Sequence, residues 1–379
     1  MRILIVSDGY PENDSSLSGI FAFDQAKALR DLGHQVIVAS INLRSLRRRR
    51  KFGMFWDKKQ GIDIINYSVP LGRVPSFLHL ALGKIAIVKM YYEVIRRYNT
   101  PDIVHAHFTL YGNIASVLKD KFSLPFVLTE HNSSINEPII SKNLLKLGKS
   151  TYSKADSLIC VSSVLAEKID KNWGIKALVI HNIVDTTIFN FPNTKTENCE
   201  FIFLSIGNLL HGKGFDVLIE AFAKANFKKN VHLQIIGIGE TYKKLQQLIS
   251  VFGQKEQVSL LGFRNRKEIA KLMQSSDAFV LASRAETFGV VYIEAMSAGL
   301  PVIATTCGGP EDFVDESNGI LVPINDVDAL ADALIKMFKT ANNYDRNNIV
   351  SLTQQKFSPN AIASQLTDIY IDVINKTKK

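Results

Sequence analysis

FIFLSIGNLLHGKG, residues 201–214, is an apolar run closed by a glycine loop that carries Lys213. A run this short, followed by glycines and then by the helical period of residues 215–222 (FDVLIEAF), reads as a strand, a tight loop and a helix. Similar apolar runs lie at residues 3–7, 35–40, 62–69, 103–107, 126–129, 157–161 and 178–181, and again at 232–236, 258–261, 278–281 and 301–304. Segments suited to helices separate them, among them residues 21–32, 78–98, 112–121 and 143–154. Strands that are apolar throughout and alternate with helices belong to parallel sheets covered on both faces. The chain is therefore expected to be α/β, with two doubly wound sheets.

A length of 379 residues suits two domains, each able to bury its own core. The polar stretch 190–200 has no apolar period and reads as a linker, which sets the domains at 1–189 and 190–357. Residues 358–374 place Ile362, Leu366, Ile369, Tyr370 and Val373 at helical spacing, a cap for one domain or the other.

Hydrophobic content of 46% with 21% charged residues excludes a disordered or fibrous chain, and no apolar run reaches the ~18 residues of a membrane span. The start, MRILIVSDGY, meets Asp8 and Glu12 at once and lacks the pattern of a signal peptide. Cys160, Cys199 and Cys307 are scattered, as in a reducing compartment, so a cytoplasmic location is expected. The net charge of +9 is uneven: residues 1–190 hold 25 Lys and Arg against 16 Asp and Glu, and the rest hold 20 of each. An anionic partner for the first half is implied.

SRAETFGVVYIEAMSAG, residues 283–299, sets Glu286 and Glu294 eight residues apart around a helix expected to begin near Gly289. The amides of Phe288, Gly289 and Val290 would then lie at a helix N-terminus, where a phosphate is attracted, beside two carboxylates suited to sugar hydroxyls. Two surface glutamates flanking a helix would give the same spacing. GNLLHGKG nearly matches GxxxxGK[ST], but Gly214 stands where a Mg²⁺-holding hydroxyl would be, so a nucleoside triphosphatase is disfavoured. Lys213 remains either a charge aimed at phosphate or an exposed lysine. Gly19 opens the first helix, for a ligand or only for the turn.

In IVHAH, His105 and His107 are expected on opposite sides of the strand, with His107 reaching a substrate hydroxyl and His105 in the interior; His131 follows Glu130 at another strand end. No HxxxH, HExxH or CxxC spacing supports a metal. RSLRRRRKFGMFW, residues 44–56, joins Arg47, Arg48, Arg49, Arg50 and Lys51 to Phe52, Phe55 and Trp56. It is read as a loop for an anionic membrane surface, with a solvated charge run and a nucleic-acid contact as the alternatives.

Together, Gly19, DIVHAH, NIVDTTIF at 182–189, GNLLHGKGFDVLIEAF and ETFGVVYIEAMSAGLPVIATTCGGPEDFV resemble the retaining, nucleotide-sugar-dependent glycosyltransferases of the GT-B fold, called group 1 or family 4. The resemblance covers nearly the whole chain. It implies two Rossmann-like domains facing each other across a cleft, an acceptor-binding first domain, a nucleotide-sugar-binding second domain, and a final helix, 358–379, crossing back to the first. It further implies that Glu294 binds ribose, Glu286 the donor sugar, Lys213 the diphosphate together with the amides at Phe288, Gly289, Val290 and Gly19, and that His107 faces the sugar. Asn208 stands where many members have Arg, and Ile183 where glycine is usual. No metal or other cofactor is expected, and a UDP-sugar is preferred to a GDP-sugar as donor. The acceptor is expected to be a glycan or lipid-linked intermediate, the protein cytoplasmic and peripheral to the membrane, and nucleic acid no partner. A nucleotide-sugar 2-epimerase of the same architecture, or a non-catalytic sugar-nucleotide binder, stays open.

Overall fold

The computed structural model describes residues 1–12, 18–43, 51–71, 75–137, 139–191 and 200–377. The basic run Arg47, Arg48, Arg49 and Arg50, Cys199 and most of the 190–200 linker lie outside them. The described chain divides into two compact units, Met1–Ile183 with Pro359–Lys379, and Val184–Ser358. The division falls at the Ile183–Val184 bond, within NIVDTTIF and before the polar linker. Ile183 is buried in the core of the first unit beside Ile180, which gives this β-branched residue a packing role.

The first unit carries a sheet of β1 (Arg2–Ser7), β2 (Gln35–Asn42), β3 (Gly53–Lys59), β4 (Ile62–Ser68), β5 (Ile103–His107), β6 (Phe126–Glu130), β7 (Ser157–Cys160) and β8 (Leu178–Val179). Their order is β3-β4-β2-β1-β5-β6-β7-β8, parallel apart from the antiparallel β3–β4 pair. Ile3, Leu4, Ile5 and Val6 of β1 are all fully buried, the result of helices covering both faces. β3 corrects the loop reading over residues 53–56, residues 44–50 lying outside the described residues. Phe55 and Trp56 favour a pleated strand, and Lys59 pairs with Ile62 across Gln60 and Gly61, whose φ values of 47° and 78° fit a two-residue hairpin turn.

The Pro359–Thr377 helix belongs to this first unit and packs on the Ile20–Asp31 helix. Ile362, Leu366, Tyr370 and Val373 enter the same core as Phe23 and Leu29, and burial of each aliphatic side chain is worth about 1.5–3 kcal/mol. Hydrogen bonds fix its register: Thr367 Oγ1 lies 2.9 Å from His34 Nε2, and the Tyr370 hydroxyl 2.6 Å from His105 Nδ1.

The second unit holds β9 (Phe201–Ile206), β10 (Val231–Ile236), β11 (Val258–Gly262), β12 (Ala278–Leu281), β13 (Val302–Thr305) and β14 (Gly319–Val322), in the order β11-β10-β9-β12-β13-β14 and parallel throughout. β14 adds a strand not expected from the sequence. Among the described residues no helix is long and apolar enough to cross a membrane, and no group of three His, Cys, Asp or Glu is placed to hold a metal.

Candidate functional site

Each sheet reverses its winding at one place. In the second unit, β10 and β11 lie on one side of β9 and β12 to β14 on the other, so the loops leaving β9 and β12 diverge and open a crevice at their carboxyl ends. In the first unit the same reversal falls between β1 and β5. Residues 207–214 follow β9, Ser283 to Gly289 follow β12, Gly19 follows β1, and His107 ends β5. The sequence candidates therefore stand at the two switch points.

In the second unit the loops after β9 and β12 are joined. Gly214 has φ 64°, and a Cβ there would lie 1.8 Å from the Ala282 carbonyl oxygen, so only glycine permits this approach. The Arg284 amide donates to Gly212 O at 2.8 Å, and its guanidinium donates to His211 O at 2.5 Å and to Asp216 at 2.9 Å. So held, Lys213 Nζ donates to Glu286 Oε1 at 2.6 Å, and the Ser283 hydroxyl donates to the same oxygen at 2.7 Å. Glu286 is buried, and Lys213 is 28% exposed by side chain. The loop thus offers an ammonium group whose partner is a carboxylate, an arrangement able to pass the ammonium to an incoming anion.

The Val290–Ser297 helix begins after Gly289, at φ 91°, with no side-chain cap and no acidic residue in its first turn. Its first amides therefore face outward from a helix N-terminus, as the sequence implied for Gly289 and Val290. Phe288 contributes backbone only, because its ring is buried against Phe313 and Phe357. Glu294 lies in this helix and pairs with Arg266 at 3.3 Å, whose guanidinium also lies 5.4 Å from the Phe189 ring centroid. Asn208 is exposed on its loop. Burial pushes the Cys307 thiol up to about 12, so this neighbour of Glu286 stays protonated and unreactive.

Sequence reasoning missed Ser283, Arg284 and Arg266. Arg266 was accessible: it follows Asn265, which forms a capping box with Glu268 at the end of a parallel strand.

In the first unit, Gly19 has φ 64°, and a Cβ there would come within 2.0 Å of Gly9 O. The Ile20–Asp31 helix that follows has no side-chain cap. His105 and His107 share one side of β5, with ring centroids 4.5 Å apart, which corrects their expected placement on opposite sides. Side chains two residues apart on a strand point the same way. His105 is interior, between the Tyr370 and Thr129 hydroxyls at 2.6 and 2.7 Å.

His107 Nδ1 lies 3.0 Å from His131 Nε2, whereas His107 Nε2 and His131 Nδ1 are buried without a partner. Burial holds His105 and His131 down at about 3 and His107 well below its usual range, so all three imidazoles are neutral. In either tautomer the His107–His131 pair ends in one N–H donor and one bare nitrogen, a set matched to a hydroxyl. Glu130 anchors the segment after β6: its carboxylate accepts from the Thr109 and Tyr152 hydroxyls and from the amides of His131 and Asn132. Phe108, next to His107, holds φ 67° and ψ 147°, a conformation costing about 1–3 kcal/mol and kept by its bonds to Thr129 and Gly112.

Comparison with known proteins gives the following. The family described as Glycosyl transferases group 1 matches residues 187–351, and Glycosyltransferase Family 4 matches residues 18–188. An uncharacterized glycosyltransferase of Methanocaldococcus jannaschii is 31% identical across 68% of this chain and 70% of its own. Sucrose-phosphate synthase from Thermosynechococcus elongatus superposes with a TM-score of 0.81 at 21% identity, covering 99% of both chains. The Anabaena protein HepE, solved with UDP and glucose, superposes with a TM-score of 0.74 at 21% identity over 98% of this chain and 100% of its own. At such identities the likeness to solved structures is one of fold.

Proposed function

The chain belongs to the glycosyl transferases of group 1 and has their GT-B fold, and on that premise we propose that it is a retaining enzyme taking its sugar from a nucleoside diphosphate sugar. The donor is a UDP-sugar in preference to a GDP-sugar, a choice supported by the UDP and glucose bound to the structurally similar Anabaena protein. The acceptor is a hydroxyl of a glycan or lipid-linked intermediate made at the cytoplasmic face of a membrane, and the reaction needs no metal.

The observation that carries this reading is the convergence of Lys213, Glu286 and the open helix N-terminus at Gly289 on one switch point. Lys213 and the amides of Gly289 and Val290 take the diphosphate, Glu286 the donor sugar and Glu294 the ribose, with Arg266 orienting the Glu294 carboxylate. As the bond from the anomeric carbon to the diphosphate oxygen breaks, its electron pair moves onto that oxygen, where a positioned cation and helix amides stabilise the charge. Gly19 admits phosphate to the backbone of the first unit, and His107, paired with His131, meets a sugar hydroxyl.

Incubation with UDP-sugars, alone and with a glycan or lipid extract, tests the reaction. Transfer only when extract is present is the expected result; an altered free sugar without acceptor would instead make the chain an epimerase. The division of roles has its own test. Glu294→Gln is expected to weaken UDP binding about tenfold, the effect of one charge-assisted hydrogen bond, while Glu286→Gln leaves UDP binding within about twofold and impairs transfer. Equal losses of UDP affinity in calorimetry of the two variants would defeat the assignment.

A further inference from the structure

The Ser76–Tyr98 helix buries one face and leaves the other uncovered. Ile87, Met90, Tyr91 and Val94 point into the first unit, and Gly83 sits so close to the next helix that a Cβ would come within 2.5 Å of Ile114 Cδ1. On the far side Leu78, Leu82, Ile85, Lys89, Tyr92 and Arg96 follow one another at intervals of four, three, four, three and four, one straight line on a 3.6-residue helix. All six are exposed, as is Phe77 beside them. Among the described residues eighteen large hydrophobic side chains are exposed, and five of them (Phe77, Leu78, Leu82, Ile85 and Tyr92) belong to this helix. Single exposed apolar side chains are ordinary, but a continuous stripe marks an interaction surface.

Charge selects the occupant. The stripe is apolar over its first half and then passes through Lys89 and Tyr92 to Arg96, and the helix as a whole carries Lys84, Lys89, Arg96 and Arg97 against Glu93 alone. At that end the Arg97 guanidinium lies 4.7 Å from the Trp56 ring centroid, and the Tyr98 ring lies 5.6 Å from it, so aromatic rings and cations occur together. A second copy packed about a two-fold axis at the middle of the stripe would bring Lys89 towards its own equivalent, which repels. Anionic headgroups reverse that sign, and apolar residues backed by cations and aromatic rings are the composition of a helix lying in a membrane interface.

We propose that the outer face of the Ser76–Tyr98 helix docks the protein on a bilayer surface containing anionic phospholipid. Ile85, Leu82 and Phe77 enter the acyl boundary, while Lys89, Arg96 and Arg97 meet headgroups. The helix lies along the surface over about 30 Å, the rise of some twenty residues. This names the partner that a lipid-linked acceptor requires and rests on that reading only for its purpose.

Flotation of the full chain with phosphatidylcholine vesicles, with and without one quarter phosphatidylglycerol, tests the proposal at 50 mM and 500 mM NaCl. Wild type is expected to float with the anionic vesicles, less at high salt, and Leu82→Ser/Ile85→Ser to bind them at least tenfold more weakly. Circular dichroism and UDP calorimetry on both proteins report folding and the donor site separately, so failure of the donor reading is seen independently. Wild type that stays in solution with anionic vesicles at 50 mM NaCl overturns the proposal. So does a double variant that floats like wild type, or a dimer abolished by the double substitution when neither protein binds vesicles.

Discussion

Lys213→Ala is expected to lower kcat by about 10²- to 10³-fold, a loss of about 2.7–4 kcal/mol of transition-state stabilisation. Lys213 Nζ is held 2.6 Å from Glu286 on a loop that Gly214 and Arg284 fix to the end of β12. Neither of its nearby polar residues replaces it. Asn208 carries no charge, and the Arg284 guanidinium is committed to Asp216 and His211 O. Charge on the departing diphosphate appears only as the bond breaks, so the defect falls on kcat more than on donor affinity. Lys213→Arg keeps the charge and recovers part of the rate. Steady-state kinetics with a UDP-sugar checks this; full turnover by a folded alanine variant removes Lys213 from the phosphate site.

Acid should destabilise the first unit steeply. His105, His107 and His131 are buried and neutral in the fold, with His105 and His131 held at about 3, whereas the unfolded chain takes up protons near 6.5. Their folded pKa values are depressed, so below 6.5 the unfolded state binds protons that the folded state refuses. Stability is therefore full above that pH and is lost as pH falls towards 3. Each histidine contributes a slope of about 1.4 kcal/mol per pH unit, and the three together about 4 kcal/mol near pH 5.5. Glu130, raised by burial, acts in the opposite sense once it protonates. Against a typical stability of about 5–15 kcal/mol this is a large loss.

Both tryptophans, Trp56 and Trp173, lie in the first unit, so their fluorescence follows that unit alone during urea unfolding. The midpoint is expected to drop sharply between pH 7.5 and 5.5, and less in His131→Gln. A midpoint independent of pH over that range would refute the neutral, buried trio.

The strands nearest the middle of each sheet were legible because two covered faces force an uninterrupted apolar run; β1, β5, β9 and β12 are examples. β3 was not, since it is an edge strand whose Phe55 and Trp56 follow an arginine run that dominates any reading of the segment. Among site residues, Lys213, Glu286 and Glu294 stood out through glycines and spacing. Arg284 and Arg266 did not, because each matters through a contact far along the chain, with Arg284 reaching Asp216 68 residues away and Arg266 reaching Glu294 28 residues away. The error over His105 and His107 was one of geometry, since the two-residue repeat of a strand already placed them together.

The returning Pro359–Thr377 helix has a consequence for biosynthesis. The first unit contains residues from the start of the chain, yet its core is closed by Ile362, Leu366 and Tyr370. On a ribosome, residues 1–183 emerge with the hydrophobic side of the Ile20–Asp31 helix uncovered and with His105 lacking its tyrosine partner. They wait while residues 184–358 are made, about 10–35 s at ordinary translation rates, and the second unit has all of its chain before the first does. Order of synthesis and order of completion are thus reversed, and the nascent first unit is the part of this protein most in need of a chaperone.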